Sequence, residues 1–381
     1  MKNILLYIGL FLIVFSSFNL VKAEEEFLVN GKSGLLMEVS SGKILFEKNK
    51  DDRVSVASMT KMVGLIIIME KLNNGDITLD EVVTVSKNAS GMGGSQIYLE
   101  TGEKMSIRDL IKGITMASAN DATVAMAERI AGSESKFVEM MNAKVKDLGL
   151  KNTHFVNSTG LDENEHYSSA YDMAIIAKEL LKYEQILDFT SVYEDYLRED
   201  TDNKFWLVNT NKLVRLYEGA DGLKTGFTDN AGYCMAVTAK RKDMRLLAIV
   251  LGEKKGSVRN DEIASLLDYG FNTYKVSKFL AKDTIIDSIN FSKSTKDKVN
   301  VYLKEDASVL MKNSDSNSGY DTSYELDKLT LPINRNDVVG TYYIKKDNVV
   351  IDSIDLIIKE DVFRKNYFQI FIDVLKDTFL I

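Results

Sequence analysis

Ala57-Ser58-Met59-Thr60-Lys61-Met62-Val63-Gly64-Leu65-Ile66-Ile67-Ile68-Met69-Glu70-Lys71-Leu72 sets an alcohol and an amine three residues apart at the head of an almost wholly apolar run. Apolar on every side from Met59 to Leu72, the run predicts a helix buried at the centre of a globular domain. Positions i and i+3 share a helix face, so Lys61 stands within hydrogen-bond reach of Ser58. A serine hydroxyl is a poor nucleophile until a base takes its proton. A neutral lysine amine is such a base once burial and neighbouring cations lower its pKa. The helix start adds positive partial charge and backbone N–H groups that can face an oxyanion. Alone, however, the pairing is common, and it also reads as a capping serine followed by a surface lysine.

On the N-terminal side, Gly34 to Val39 and Lys43 to Lys48 flank a Ser40-Ser41-Gly42 turn, a hairpin pattern. On the C-terminal side come helical patterns at Ile107 to Ile130, Phe137 to Leu148 and Tyr171 to Leu187, the first interrupted at Ser118-Ala119-Asn120. The texture then returns to strands between Leu223 and Leu251, around a polar turn at Lys240 to Asp243. Strands, a helical middle and strands again predict a sheet closed by both ends of the segment with helices packed on it, an α/β (α+β) arrangement.

Two further short motifs follow the first. Ser118-Ala119-Asn120 breaks a helix; its hydroxyl could relay a proton to a leaving amine and its amide could hold a substrate carbonyl. Asn120 or Asp121 also suits a plain helix cap. Lys224-Thr225-Gly226 stands at the start of the second strand region. On an edge strand, Lys224 and Thr225 offer charge and a hydroxyl to a carboxylate, and Gly226 lets a ligand approach the backbone. The bland reading is a strand-to-turn Thr-Gly with an exposed lysine. Order and context together are far more specific than any one motif.

With these motifs the chain resembles the low-molecular-mass penicillin-binding proteins, the serine-type D-alanyl-D-alanine carboxypeptidases. The resembling stretches are Ala57 to Met62, Met116 to Ala122, His154 to Leu161, His166 to Ala174 and Asp221 to Phe227. The resemblance implies a β-lactamase/transpeptidase-like domain, an antiparallel sheet with helices on both faces, then a small all-β domain and an amphipathic helix. It implies that Ser58 is acylated, that Lys61 is the general base and that Ser118 shuttles the proton. Asn120 would position the peptide, and Lys224, Thr225 and Gly226 would line the seat of the terminal carboxylate. The oxyanion hole would be the backbone N–H groups of Ser58 and Phe227. Relatives often carry His at the position of Phe227, a departure that bears on substrate preference. The expected partners are the D-Ala-D-Ala end of peptidoglycan stem peptides and β-lactam inhibitors. Two rivals are a β-lactamase, disfavoured by Ser-Ala-Asn in place of Ser-Asp-Asn, and a non-catalytic wall-binding or sensor protein.

Composition narrows the field. The 381 residues carry a net charge of -8, which offers no basic field for nucleic acid. His154 and His166 are the two histidines and Cys234 the one cysteine, so neither a zinc site nor an internal disulfide is expected, and no cofactor is implied. Cys234 reads as a buried small hydrophobe. The first residues, with Lys2, an apolar run from Ile4 to Phe15 and Val21-Lys22-Ala23, read as a secretory leader or, counted to Val21, as a retained anchor. The expected division is 1–23 leader, 24–274 catalytic domain, 275–358 β domain and 359–381 terminal helix. Within the β domain, Asp315 to Ser323 reads as a polar loop. From Val362 to Ile381 a polar stripe of Lys365, Gln369, Asp373 and Lys376 opposes a wide aromatic face. Such a helix either lies in a membrane interface or docks on protein.

Overall fold

The computed structural model describes residues 29–316 and 318–379; the leader reading therefore lies outside the described residues. Strands β1 (Ser33–Glu38) and β2 (Ile44–Lys48) form the predicted hairpin. A single 3-10 turn, Ala57–Thr60, leads into the central helix α1 (Lys61–Asn73). Helices α2 (Ile107–Met116), α3 (Asn120–Ala131), α4 (Glu134–Asp147) and α5 (Ala170–Leu180) make the helical middle. Strands β3 (Ala220–Thr228), β4 (Gly232–Arg241) and β5 (Met244–Glu253) then return, followed by α6 (Gly256–Thr273). The two ends join in one antiparallel sheet of order β2-β1-β5-β4-β3.

Strand alternation divides the interior in two. Met37, Cys234, Ala236, Leu247 and Ile249 point into the larger core, with α1 at its centre. Leu36, Met235, Val237, Leu246 and Ala248 point the other way, onto Ile263, Leu266 and Leu267 of α6. Helices therefore cover both faces, as expected. α1 shows little amphipathicity because every residue from Lys61 to Met69 is buried. Cys234 is fully buried, which pushes its thiol up to about 11.

The second unit holds a ribbon of β6 (Tyr274–Leu280) and β9 (Ala307–Lys312). Its five-stranded sheet adds β7 (Ile285–Asn290), β8 (Lys298–Leu303), β10 (Tyr320–Leu326), β11 (Val338–Lys346) and β12 (Val349–Ile357) in the order β7-β8-β12-β11-β10. Here the polar-loop reading of Asp315 to Ser323 is corrected. Tyr320 to Ser323 belong to β10 and pair with Lys346 to Tyr343 of β11. Backbone pairing along an already formed strand outweighs a polar composition. The terminal helix α7 spans Tyr367–Phe379 and starts later than Val362. Asn366 caps it reciprocally with Gln369, each side chain accepting the other's backbone N–H at 2.9 Å. Tyr367, Phe368, Phe371 and Val374 remain exposed on it. No helix among the described residues is long and apolar enough to cross a membrane.

Ile66, fully buried at the middle of α1, tests how much the central helix contributes. Ile66→Ala should lower unfolding free energy by about 2–5 kcal/mol, read from urea denaturation midpoints.

Candidate active site

The 3-10 turn explains the first contact of the site. In that geometry side chains at i and i+3 eclipse, and Lys61 Nζ donates to Ser58 Oγ at 2.8 Å. Ala57, immediately before the serine, has φ +49, a left-handed conformation that costs free energy and recurs where a side chain must be aimed. Lys61 is fully buried, and its ammonium also donates to Asn120 Oδ1 at 2.7 Å and Thr159 O at 2.6 Å. All three of its protons are thus placed. Burial holds the Lys61 ammonium well below the ordinary lysine range, Lys224 nearby adds to the shift, and Asp121 opposes it.

Ser118 lies between α2 and α3 with φ +61. Its Oγ accepts from Lys224 Nζ at 2.8 Å, so its polar partner here is Lys224. Asn120 opens α3; its backbone N–H donates to Ser95 O and its Nδ2 to Gly93 O, both at 2.7 Å. The bond to Gly93 O uses one of the two amide protons of Asn120. Lys224 is buried on β3, where burial and then Arg259 push it down to about 7. Thr225 Oγ1 donates to Thr210 Oγ1 at 2.7 Å.

A Cβ at Gly226 would come within 2.8 Å of Val56 O and 3.1 Å of Ser58 N. The glycine thus lets β3 lie against the turn that carries Ser58. Phe227, next along, is half exposed, and its ring stacks on Tyr233 with centroids 4.3 Å apart. All eight residues singled out in the sequence therefore come from three segments that meet: the turn before α1, the α2–α3 junction and β3.

Several participants had no signal of their own. Thr159 contributes only a carbonyl, presented by a turn in which Asn157 Oδ1 accepts from Gly160 N at 2.7 Å and from Thr159 N at 3.2 Å. Gly160 has φ +84, and a Cβ on it would fall 1.9 Å from Ala57 O. Thr210 is visible only as the partner of Thr225. Arg259 of α6 donates to Cys234 O at 3.3 Å behind the sheet. His166 accepts from Val156 N on Nδ1 at 3.1 Å, so its Nε2–H faces Thr60 Oγ1 at 2.8 Å. That imidazole ties the 156–166 segment to the residue before Lys61, in keeping with a structural role.

With this geometry in view, residues 20–255 match the family described as D-alanyl-D-alanine carboxypeptidase. Residues 274–364 match the C-terminal domain of penicillin-binding protein 5. The chain belongs to the D-alanyl-D-alanine carboxypeptidase family. It is 43% identical over 385 residues to the D-alanyl-D-alanine carboxypeptidase DacF of Bacillus subtilis, spanning 99% of this chain and 98% of that protein. Penicillin-binding protein 5 from Haemophilus influenzae has the same fold, with TM-score 0.72 and 31% identity over 88% of this chain and 98% of that one. The ampicillin-bound penicillin-binding protein D2 of Listeria monocytogenes aligns at TM-score 0.57 and 30% identity, over 63% of this chain and 97% of its own. The second, all-β unit thus has family counterparts, and the enzyme class is that of serine peptidases.

Burial and the adjacent charge of His154 push His166 down to about 4 from an ordinary 6.5. Between those values the unfolded chain binds the proton more readily, so the stability this group contributes is complete above pH 6.5 and lost as pH falls through about 4. His166→Gln should flatten that part of the acid-side slope, compared with wild type by denaturant midpoints at successive pH values.

Proposed function

We propose that the protein removes the terminal D-alanine from peptidoglycan stem peptides through an acyl intermediate on Ser58. The observation that carries this reading is the 2.8 Å contact between Ser58 Oγ and a fully buried lysine amine. A neutral Lys61 keeps two N–H bonds, to Asn120 Oδ1 and Thr159 O, and turns its lone pair to the Ser58 hydroxyl. Ser58 Oγ then attacks the carbonyl between the two D-alanines. The developing oxyanion is received by the N–H groups of Ser58 and Phe227. Ser118 relays to the departing amine the proton that Lys61 took from Ser58, which leaves Lys61 neutral again, while the positive charge of Lys224, which donates to Ser118 Oγ, and the Thr225 hydroxyl seat the terminal carboxylate. Asn120 holds the peptide with its remaining amide proton. Water then gives a proton to the neutral Lys61 and attacks the acyl carbon; the ester bond breaks, Ser58 Oγ takes the proton back, and the shortened peptide leaves. A β-lactam enters the same sequence with its ring amide and stays attached to Ser58.

The domain reading that accompanies this assigns 24–274 to catalysis, 275–358 to the β unit and 1–23 to an export leader, which places the enzyme outside the cytoplasm, where its substrate is. The exposed aromatic face of α7 supports peripheral attachment to the membrane surface.

Labelling with a fluorescent penicillin should give a covalent band, and a diacetyl-lysyl-D-alanyl-D-alanine peptide should release D-alanine. Both are lost in Ser58→Ala; retention of either in the mutant overturns the assignment. Rapid turnover of nitrocefin would instead favour a β-lactamase. Co-sedimentation with anionic liposomes should fall when Phe368 and Phe371 are both replaced by Ser, with penicillin labelling unchanged.

A further inference from the structure

The two N–H groups assigned to the oxyanion, those of Ser58 and Phe227, belong to separate segments, the turn before α1 and strand β3. Gly226 lets the segments approach, since a Cβ on it would fall 3.1 Å from Ser58 N. Close packing sets how near they come. A hole for one oxygen also needs a fixed spacing, because a displacement of about 1 Å at a reacting centre can cost about a hundredfold in rate. A tie between the segments stands beside them. Asp162 Oδ1 accepts from Ser55 Oγ and from Thr228 Oγ1, both at 2.9 Å. Ser55 lies three residues before Ser58, and Thr228 follows Phe227 directly. One carboxylate oxygen thus joins the two segments on which the hole is built.

Each end of this tie is itself held. Val54, next to Ser55, exchanges backbone hydrogen bonds with Ser168 at 2.8 and 3.0 Å. Thr228 Oγ1 accepts from Ala231 N at 3.0 Å and turns its one proton to Asp162. Asp162 follows a turn in which Asn157 Nδ2 donates to Leu161 O at 2.9 Å. The same turn presents the Thr159 carbonyl to Lys61 and rests Gly160 against Ala57 O. The loop that holds the base therefore also reaches across to β3. Asp162 is exposed, so solvent screens its charge. Negative charge beside a developing oxyanion would in any case oppose it. What serves the site is the acceptor atom.

We propose that Asp162 is a positioning residue for the oxyanion hole: it clamps the Ser58 turn to the end of β3 and so fixes the spacing of the Ser58 and Phe227 N–H groups. The proposal rests on the acyl-Ser58 reading above and names what holds that site in register. It acts through geometry, so an asparagine, whose side-chain oxygen can accept the same two hydroxyl protons, should replace the aspartate.

The test measures the acylation rate of the full chain with a fluorescent penicillin, and the carbonyl stretch of the resulting Ser58 ester by infrared difference spectroscopy. Asp162→Ala should slow acylation about tenfold, less than the hundredfold or so that loss of a whole oxyanion donor costs. Its ester band should move to higher frequency and broaden, as hydrogen bonding to the carbonyl weakens. Asp162→Asn should stay within about twofold of wild type. Ser55→Ala should reproduce part of the loss, and adding it to Asp162→Ala should cost nothing further, because a bridge already broken has no second arm to lose. A residue that merely staples the loop would change thermal stability and leave the ester band where it was. An unshifted band and unchanged rate in both Asp162→Ala and Ser55→Ala, an Asp162→Asn variant as slow as the alanine, or additive losses in the double variant each overturn the proposal. Absence of a covalent adduct in the wild type instead overturns the acyl-Ser58 reading.

Discussion

One buried amine organises the molecule. Lys61 would be costly to bury without partners, and each of its partners comes from a different part of the chain: Ser58 from the preceding turn, Asn120 from the start of α3, and the Thr159 carbonyl from the segment before α5. The contact to Ser58 is local, whereas those to Asn120 and Thr159 join segments far apart in the chain. The reaction centre is thus assembled by the same contacts that close the larger core around α1. The cost of burying the amine lowers its pKa, and a lysine with a lowered pKa can act as a base.

The rest of the site shows the same economy of parts. Ala57, immediately before Ser58, and Ser118 itself both have positive φ. Gly160 and Gly226 bring two further backbones against the Ser58 turn, at distances no other side chain would allow. Asp121, adjacent to Asn120, accepts the N–H groups of Ile97 and Leu99 and so holds the 93–99 wall against the site. Rigidity here comes from hydrogen-bonded loops lashed to the ends of buried helices.

Much of this was legible beforehand because the decisive residues are close in sequence or strongly patterned. The Ser58–Lys61 pair needs only one turn, the buried helix shows as unbroken apolar character, and strand alternation in Gly232 to Leu251 shows both faces of the sheet. What stayed hidden has a common physical cause. Thr159 acts through a carbonyl, which every residue possesses, and Arg259 acts through its place on the far side of the sheet. The strand at Tyr320 exists because β11 offers it a ladder, and a polar composition gives no hint of that. That Gly226 also lies against the Ser58 turn depends on how β3 packs in three dimensions, which its neighbours in sequence do not announce.

Behind the site, Lys224 and Arg259 are buried basic groups, while at Lys61 burial favours the neutral amine and Asp121 opposes that shift. On the proposed reading, a substrate's free terminus brings negative charge to this place. A peptide bond in the middle of a polymer brings no carboxylate to that place. On the proposed assignment of Lys224 and Thr225, a preference for chain ends would follow from charge under the sheet.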